Sequence, residues 1–226
     1  MVVSGKQRAG EKATEFVRDG MTIGLGTGTT VSWTIRRLGE LVREGLRIRG
    51  IPTSRRTEEL ANDVGIPLVT FADVPALDLT IDGADEVNPS LDLIKGGGGA
   101  LLREKLVAAA SQRLVIVVDS SKRVATLGKF PLPVEVVPFA WEVTARRVAA
   151  LGCVPALRLA DGQPYLTDNG NHILDCAFDA IPDPATLHRA LKLLPGVVET
   201  GLFVGMADTV VVGTAQGVTV LEKREG

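Results

Sequence analysis

The sequence predicts an α/β protein with a doubly wound, mostly parallel, Rossmann-like sheet and an inserted smaller α+β domain of ferredoxin-like type. Two observations support this prediction. Strand-like and helical segments alternate through the first half of the chain, which is typical of parallel strands with helices on both faces of the sheet. From about residue 128 the order becomes β-α-β-β-α-β, the split arrangement of ferredoxin-like folds.

The two patterns divide the chain into two predicted domains. Residues 208–213 and 217–220 favour strands again, so we expect the end of the chain to return to the first sheet. We therefore predict a Rossmann-like catalytic domain over 1–128 plus 204–226. An α+β domain over 129–203 is predicted to act as a lid or in oligomerisation.

The elements of the first domain are predicted from the spacing of apolar residues. Helices show apolar positions three and four residues apart, whereas strands are short apolar runs. Gly20 can end the first helix in the left-handed conformation, and Thr53 or Ser54 can cap the third helix. The predicted segments are a helix over 5–19, a strand over 21–26, a helix over 31–43, a strand over 46–51, a helix over 55–64, strands over 66–71 and 77–81, the helix that contains Glu104, and a strand over 113–118.

The second domain begins after a joint marked by Pro131 and Pro133. Its pattern predicts a strand over 134–139, a helix over 140–151, a strand over 154–159, a turn at Asp161-Gly162, a strand over 172–178, a helix over 184–194 and a strand over 197–203.

Composition limits the possible functions. With 226 residues, of which 45% are apolar and 23% charged, the chain can bury one full core and a smaller second one. The formal net charge is -2, and no apolar run approaches the roughly 20 residues of a membrane span, so we expect neither nucleic acid nor a membrane as a partner. Cys153 and Cys176 belong to no CxxC motif, and the amino terminus lacks the apolar core of a signal peptide. Reduced thiols and a cytoplasmic location are therefore predicted, with a disulfide as the alternative.

Candidate catalytic groups are concentrated between residues 82 and 105. The stretch Asp82-Gly83-Ala84-Asp85-Glu86 follows a buried strand, and a carboxylate at the C-terminal end of such a strand is well placed to bind a ligand. Lys95 then precedes Gly96–Gly99, where the lack of Cβ atoms lets main-chain N–H groups approach a bound molecule. Two carboxylates, a lysine, a glycine run and Glu104 on the next helix indicate a reaction centre.

Glu104 is the candidate general base. On its helix it shares a face with Leu101, Val107 and Ala108, so we expect it to be partly desolvated. Desolvation raises the pKa of a carboxyl group toward neutrality, as a group that takes and returns a proton requires. The alternative is an exposed helix charge between two basic neighbours.

A phosphate-binding loop is predicted at Thr27-Gly28-Thr29-Thr30, before the helix over 31–43. The N–H groups and the dipole of a helix N-terminus attract phosphate. The loop matches neither the Walker pattern nor GxGxxG, and the alternative is a tight turn with an N-cap. Lys122 follows another strand and is a further candidate, although taken alone it would be read as a surface charge. Lys6 is a lesser candidate, since a lysine near an amino terminus is usually solvated.

The acidic turn also permits a metal site. Oxygen-rich clusters such as Asp82, Asp85 and Glu86 bind Mg²⁺. We favour catalysis without a metal, because Lys95 can neutralise an anionic intermediate. With two histidines and no Cys/His cluster, a zinc site has little support. For Glu86 itself we favour a solvated turn.

A series of motifs resembles those of one family, in the same order and at the same spacing. They are GTGTT at 26–30, DGADEV at 82–87, KGGGGALLREK at 95–105, SKR at 121–123, LGKFPLPVEV at 127–136, TDNGN at 167–171 and PGVVETGLF at 195–203. The chain thus resembles ribose-5-phosphate isomerase of the A type over almost its whole length. One departure is Thr29, where many members have serine, and the hydroxyl is kept.

The resemblance implies a function and a set of site residues. It implies an aldose-ketose isomerase of the pentose phosphate pathway that interconverts D-ribose 5-phosphate and D-ribulose 5-phosphate, uses no cofactor and forms homodimers or homotetramers. Glu104 would be the base that moves a proton through an enediolate. From the residue types, Lys95 would stabilise the oxyanion, and Asp82 and Asp85 would hold sugar hydroxyls and assist ring opening. The predicted substrate-binding residues are Thr27, Gly28, Thr29, Thr30, Asp82, Gly83, Ala84, Asp85, Lys95, Gly96, Gly97, Gly98 and Lys122.

Two other functions fit parts of the pattern. A coenzyme A transferase would use a glutamate as a covalent nucleophile, but the chain is short for that role. A sugar-phosphate sensor would need a DNA-binding module, and no helix-turn-helix segment precedes residue 21. The sequence leaves open the roles of Arg55 and Arg56, the choice between dimer and tetramer, and the extent of lid motion.

Overall fold

The computed structural model describes residues 3–223. The chain divides into two compact units: the first contains residues up to 84, 103–123 and those from 206 on, and the second contains residues 85–102 and 124–205. Residues 85–102, which the sequence analysis assigns to the first domain, group with the second unit. The predicted roles of the two domains, catalysis and lid or oligomerisation, stay predictions.

Except for the strand predicted over 66–71, the helices and strands follow the predicted order, and several short strands are added to it. The helices are α1 (Gly5–Ala13), α2 (Val31–Arg43), α3 (Arg55–Asp63), α4 (Leu101–Ala109), α5 (Trp141–Ala149) and α6 (Pro184–Lys192), and 3₁₀ turns cover Thr14–Phe16 and Ser120–Lys122. The strands are β1 (Thr22–Leu25), β2 (Arg49–Pro52), β3 (Leu79–Gly83), β4 (Glu86–Val87), β5 (Leu93–Ile94), β6 (Leu114–Asp119), β7 (Leu132–Val136), β8 (Val154–Leu157), β9 (Leu159–Ala160), β10 (Gln163–Pro164), β11 (His172–Ala177), β12 (Val197–Thr200), β13 (Leu202–Phe203), β14 (Thr209–Gly213) and β15 (Val218–Glu222).

The first unit is built on a six-stranded sheet in the order β15-β14-β6-β3-β1-β2. All neighbouring strands are parallel except β15, which pairs antiparallel with β14 at one edge. β1 and β14 consist entirely of buried residues, and β6 is buried up to its last residue. Such apolar strands are typical of parallel sheets covered on both faces, so the prediction of a mostly parallel, Rossmann-like sheet is confirmed.

The core of the first unit forms between the sheet and the helices that cover it. Ile35 and Leu38 of α2 belong to one buried cluster with Ile23 and Leu25 of β1 and Ala9 of α1. The apolar positions of α2 recur at helical spacing, and its observed bounds match the prediction.

The second unit contains the predicted β-α-β-β-α-β arrangement. β7, α5, β8, β11, α6 and β12 follow one another, and their strands form an antiparallel sheet in the order β12-β7-β11-β8. This succession confirms the ferredoxin-like prediction. The unit also contains a small sheet in the order β13-β5-β4 and the hairpin β9-β10, neither of which was predicted.

The first helix is shorter than predicted. It ends at Ala13 and continues only as a 3₁₀ turn to Phe16. Gly20 has the expected left-handed φ of 85°, but its N–H donates to the carbonyl of Arg47. Gly20 therefore shapes the turn before β1 and does not end the helix.

The strand predicted over 66–71 is reduced to a single bridge between Leu68 and Gly50. Pro67 has no N–H to donate to a ladder. Thr70 begins a turn in which its N–H and hydroxyl both donate to Asp73 Oδ2 at 2.8 Å. The pairing with β2 therefore cannot extend in either direction.

Glu86 is buried, which corrects the prediction of a solvated turn. It is 3% exposed at the start of β4. Its Oε2 accepts a hydrogen bond from the N–H of Gly128 at 2.7 Å, and its Oε1 accepts one from the N–H of Phe130 at 2.6 Å. Main-chain N–H groups inside a protein need acceptors, and this carboxylate supplies them for the segment before β7.

The state of the two cysteines agrees with the prediction. Cys153 and Cys176 are buried and free of disulfide bonds, as predicted. Over residues 3–223, no helix combines the length and the apolar character needed to cross a membrane.

Replacing Glu86 by Gln should destabilise the protein, because the NH₂ group of the amide would face one of the two main-chain N–H groups that now donate to the carboxylate. We expect urea denaturation to show a loss of about 1–3 kcal/mol in the free energy of unfolding. Glu59→Gln, at an exposed position of α3, serves as the control and should change it by less than about 0.5 kcal/mol. Equal effects of the two changes would contradict the anchoring role of Glu86.

Candidate active site

The loop between β1 and α2 contains the first predicted site residues. Thr30 immediately precedes α2, and Gly28 and Thr29 are exposed. The Thr29 hydroxyl accepts a hydrogen bond from Lys6 Nζ at 3.1 Å. A hydroxyl and an ammonium group therefore meet beside the positive end of a helix, a combination suited to an anion.

The Thr27 side chain lies in a cluster of hydroxyl groups. Its Oγ1 is 2.8 Å from the hydroxyl oxygens of Thr53 and Ser54 and 3.1 Å from that of Thr57. The Thr57 hydroxyl donates to the carbonyl of Gly26 at 2.9 Å. These bonds tie the loop after β1 to the start of α3. The Thr27 hydroxyl thus positions the loop.

Asp82 lies near the end of β3 and is 1% exposed. Its Oδ1 accepts hydrogen bonds from the N–H groups of Thr27 at 3.0 Å and Gly83 at 2.7 Å. A Cβ at Gly26 would come within 2.2 Å of this oxygen, so the carboxylate occupies the space that the glycine leaves. The bond from Thr27 joins the loop that follows β1 to the end of the adjacent parallel strand β3, as the predicted topology requires.

Lys6 and Lys122 lie near Asp119 at the end of β6. Asp119 accepts a hydrogen bond from the N–H of Ser121 at 2.9 Å, and Lys122 lies in the same 3₁₀ turn. Burial raises the pKa of Asp119, but the hydrogen bonds from Ser121 and the charges of Lys6 and Lys122 outweigh it, so the pKa is lowered. Lys6 therefore joins Lys122 among the candidate phosphate ligands, although the sequence analysis ranked it below Lys122.

Glu104 lies on α4 and is 4% exposed. Leu101, Val107 and Ala108, on the same face of the helix, are also buried. The expectation of a desolvated carboxylate is thus supported, and the alternative of an exposed helix charge is wrong. The role of Glu104 as a base stays a prediction.

Lys95 lies in the second unit and is 2% exposed. Its N–H donates to the carbonyl of Gly201 at 2.8 Å, and its Nζ lies 5.4 Å from the centroid of the Phe203 ring. Attraction of the ammonium group to the ring helps to offset the cost of burying a charge. A buried lysine in this position fits the predicted functional ammonium group.

Asp85 holds the glycine run within the second unit. Its Oδ2 accepts a hydrogen bond from the N–H of Gly97 at 2.7 Å, and a Cβ at Gly97 would come within 2.6 Å of its Oδ1. Gly96 has a φ of 101°, a conformation that favours glycine. The run therefore needs glycine for two reasons: the close approach of Asp85 at Gly97 and the backbone conformation at Gly96.

Arg158 also contacts this glycine run, and its position there was not predicted from the sequence. Its Nη1 donates to the carbonyl of Gly96 at 2.9 Å and to that of Gly97 at 3.3 Å. No motif distinguishes Arg158 from the many other arginines of the chain. Only the tertiary contact identifies it.

Of the two arginines at the start of α3, one lines a pocket. A pocket of the first unit is lined by Arg56, together with Thr27, Gly28 and Arg36. Arg55 is not among its lining residues. Arg56 therefore lies beside the predicted phosphate-binding loop between β1 and α2.

The geometry gives the metal alternative no support. Within the described residues, no group of three or more His, Cys, Asp or Glu side chains is arranged to hold a metal ion. The carboxylates of Asp82, Asp85 and Glu86 instead accept hydrogen bonds from main-chain N–H groups.

Comparison with known proteins identifies the family. The family model described as ribose 5-phosphate isomerase A (phosphoriboisomerase A) matches residues 49–217. A ribose-5-phosphate isomerase A from Bacillus anthracis is 58% identical over 217 residues, which are 96% of this chain and 99% of that protein. The chain belongs to the ribose 5-phosphate isomerase A family.

Solved structures of ribose 5-phosphate isomerases share the fold. The ribose 5-phosphate isomerase A of Methanocaldococcus jannaschii is 44% identical, with a TM-score of 0.92 and coverage of 96% of this chain and 98% of that one. A D-ribose-5-phosphate isomerase in complex with phospho-erythronic acid is 41% identical, with a TM-score of 0.93 and coverage of 96% and 97%. The resemblance inferred from the motifs is confirmed, and the chain is an isomerase.

Gly97→Ala should impair the activity of this isomerase more than its stability, because the added Cβ would displace the carboxylate of Asp85. We expect kcat to fall by about tenfold or more, the size of effect that follows a loss of catalytic geometry. Gly217→Ala is the matched control, because a Cβ there meets no atom within 4 Å. Unchanged kcat in Gly97→Ala would show that the position of Asp85 does not matter for turnover.

Proposed function

We propose that this member of the ribose 5-phosphate isomerase A family interconverts D-ribose 5-phosphate and D-ribulose 5-phosphate through an enediolate, with Glu104 as the base. The observation that carries the proposal is the burial of Glu104 on the helix that directly follows the glycine run. The relative solved with phospho-erythronic acid supports a phosphorylated sugar as the ligand class.

The phosphate is proposed to bind at the loop between β1 and α2. Thr29 contributes its hydroxyl, Thr30 and its neighbours contribute N–H groups, and Lys6 and Lys122 contribute positive charge. Phosphate oxygens accept strong hydrogen bonds from ammonium groups and from the N–H groups of a helix start. Anchoring at this end would fix the sugar carbons relative to the acid and base groups.

The chemical step is a proton transfer between neighbouring carbons. Glu104 removes the proton from C2 of the open-chain aldose, and the electrons form the enediolate. The proton of the C2 hydroxyl passes to the oxygen on C1, and the same carboxyl group returns the carbon-bound proton to C1, which leaves the carbonyl group at C2. Lys95 stabilises the negative charge that develops on the oxygens, as a fixed ammonium group in a water-poor site does effectively. Neither a metal nor a redox cofactor takes part in this scheme.

Asp82 and Asp85 are proposed to hold sugar hydroxyls and to assist ring opening. One oxygen of Asp85 is occupied by the N–H of Gly97, which leaves Oδ1 without a donor among the described residues. That oxygen can accept a hydrogen bond from a hydroxyl group of the substrate or exchange a proton with the ring oxygen.

A homodimer or homotetramer in the cytoplasm completes the proposal. The second unit exposes several large apolar side chains, among them Phe139 at 88% and Leu193 at 83%. Where such side chains form one contiguous patch, the patch is typical of a surface that another chain covers.

Glu104→Gln should remove most of the turnover, because an amide cannot accept the proton. We expect kcat to fall by about 10²–10⁴ with a modest change in KM, measured by formation of ribulose 5-phosphate. Glu59→Gln is the control and should behave like the wild type, and the assay is run with and without a chelator. Near-normal turnover by Glu104→Gln would overturn the base assignment.

The same assay separates the other two functions. A coenzyme A transferase would form a covalent glutamyl adduct with acyl-CoA and would not convert the sugar phosphate. A sensor would bind ribose 5-phosphate without turnover, and Glu104→Gln would change nothing measurable.

Lys6→Ala tests whether Lys6 contributes to binding of the substrate's phosphate group. Loss of one ammonium group should raise KM by about tenfold while kcat stays within a few-fold, because the phosphate is bound equally in the ground state and in the transition state. Lys12→Ala, on the same helix but paired with Glu15, is the control. A fall in kcat with unchanged KM would argue against a phosphate contact by Lys6.

A further inference from the structure

The peptide group between Gly96 and Gly97 is held from two sides within the second unit. Its N–H donates to Asp85 Oδ2 at 2.7 Å, and its carbonyl oxygen accepts from Arg158 Nη1 at 2.9 Å. The N–H of Gly99 also donates to this carbonyl, at 3.0 Å. Both polar groups of one peptide therefore have fixed partners.

Arg158 is itself held in place. Its Nε donates to Asp175 Oδ2 at 2.9 Å and its Nη2 donates to Asp175 Oδ1 at 2.5 Å, a two-bond pairing that fixes the plane of the guanidinium. The Tyr165 ring lies over the same group, with Cζ 5.9 Å from the ring centroid. The remaining nitrogen, Nη1, points its hydrogens at the glycine carbonyls.

We infer that Arg158 is a positioning residue of the isomerase, which acts through the Gly96–Gly97 peptide on the orientation of the Asp85 carboxylate. The inference rests on the proposed function, in which Asp85 contacts the substrate. Arg158 itself contacts no reacting atom in this scheme.

The need for such a residue follows from the glycines. Without side chains, the run has little to prevent rotation of its peptide groups. A rotation of the Gly96–Gly97 peptide would replace the N–H beside Asp85 with a carbonyl oxygen, which repels a carboxylate. A cation on the carbonyl opposes that rotation, and it also polarises the peptide so that its N–H becomes a stronger donor.

A purely structural ion pair would behave differently. The side chains of Arg158 and Asp175 are 15% and 29% exposed, so the pair is partly accessible to water. Loss of a partly exposed pair would lower stability somewhat and leave the kcat of the folded enzyme unchanged.

The test compares Arg158→Ala and Arg158→Lys with Arg147→Ala, an exposed position of α5, in the complete protein. For Arg158→Ala we expect kcat for ribose 5-phosphate to fall by about tenfold to a hundredfold, with KM within a few-fold of the wild type. Arg158→Lys should recover part of the loss, because an ammonium group can reach the carbonyl but cannot keep all the bonds of the guanidinium. Thermal unfolding of each variant reports the stability effect separately.

A double-mutant cycle with Asp85→Asn tests the route of the effect. If Arg158 acts through Asp85, Arg158→Ala should reduce kcat much less in the Asp85→Asn background than in the wild type. A structural role predicts the same factor in both backgrounds.

The outcomes separate the inference from the proposed function. Wild-type-like kcat in Arg158→Ala, or equal effects in both backgrounds of the cycle, would overturn the inference while the isomerase activity stands. If Arg158→Ala does not fold, Arg158→Lys is the deciding variant. A kcat of Arg158→Lys equal to that of Arg147→Ala would then overturn the inference. Absence of isomerisation by the wild type and by Arg147→Ala would overturn the proposed function and the inference together.

Discussion

Loops in each of the two units depend on buried or half-buried carboxylates that accept hydrogen bonds from main-chain N–H groups. Asp82 does this in the first unit, and Asp85 and Glu86 do so in the second. Loops lack the regular partners of helices and strands, and an N–H group without an acceptor is costly inside a protein. One acidic stretch therefore holds the loops in place, and two of its carboxylates are also proposed to contact the substrate.

The glycines of the motifs follow from the same constraint. At Gly26 and Gly97 a Cβ would come within 2.2 Å and 2.6 Å of an oxygen of Asp82 and Asp85, respectively. Each glycine is required because a carboxylate approaches the backbone closely. The glycine-rich and acidic motifs are separate in the sequence. In each unit, however, a glycine of one motif packs directly against a carboxylate of the other. The inferred action of Arg158 on the Gly96–Gly97 peptide extends this requirement to a third element.

Local patterns predicted most of the helices and strands and the candidate residues of the site. The helical spacing of apolar residues gave the bounds of α2, and the order of elements predicted both the parallel sheet and the ferredoxin-like arrangement. The burial of Glu104 was predictable because its apolar neighbours lie on the same face of one helix. The prediction of a strand over 66–71 was wrong. The apolar pattern favoured a strand, but Pro67 and the turn at Thr70 limit its pairing.

The sequence by itself determined the fold class, the family and the candidate site residues along the chain, because these depend on local periodicity and on motifs of adjacent residues. Only the tertiary structure decided that Glu86 is an anchor, that Lys6 meets Thr29 and that Arg158 holds the glycine run. The two contacting residues are 23 positions apart in the case of Lys6 and 62 in the case of Arg158 and Gly96. No local pattern encodes such a pair, because the contact exists only after distant segments have packed together.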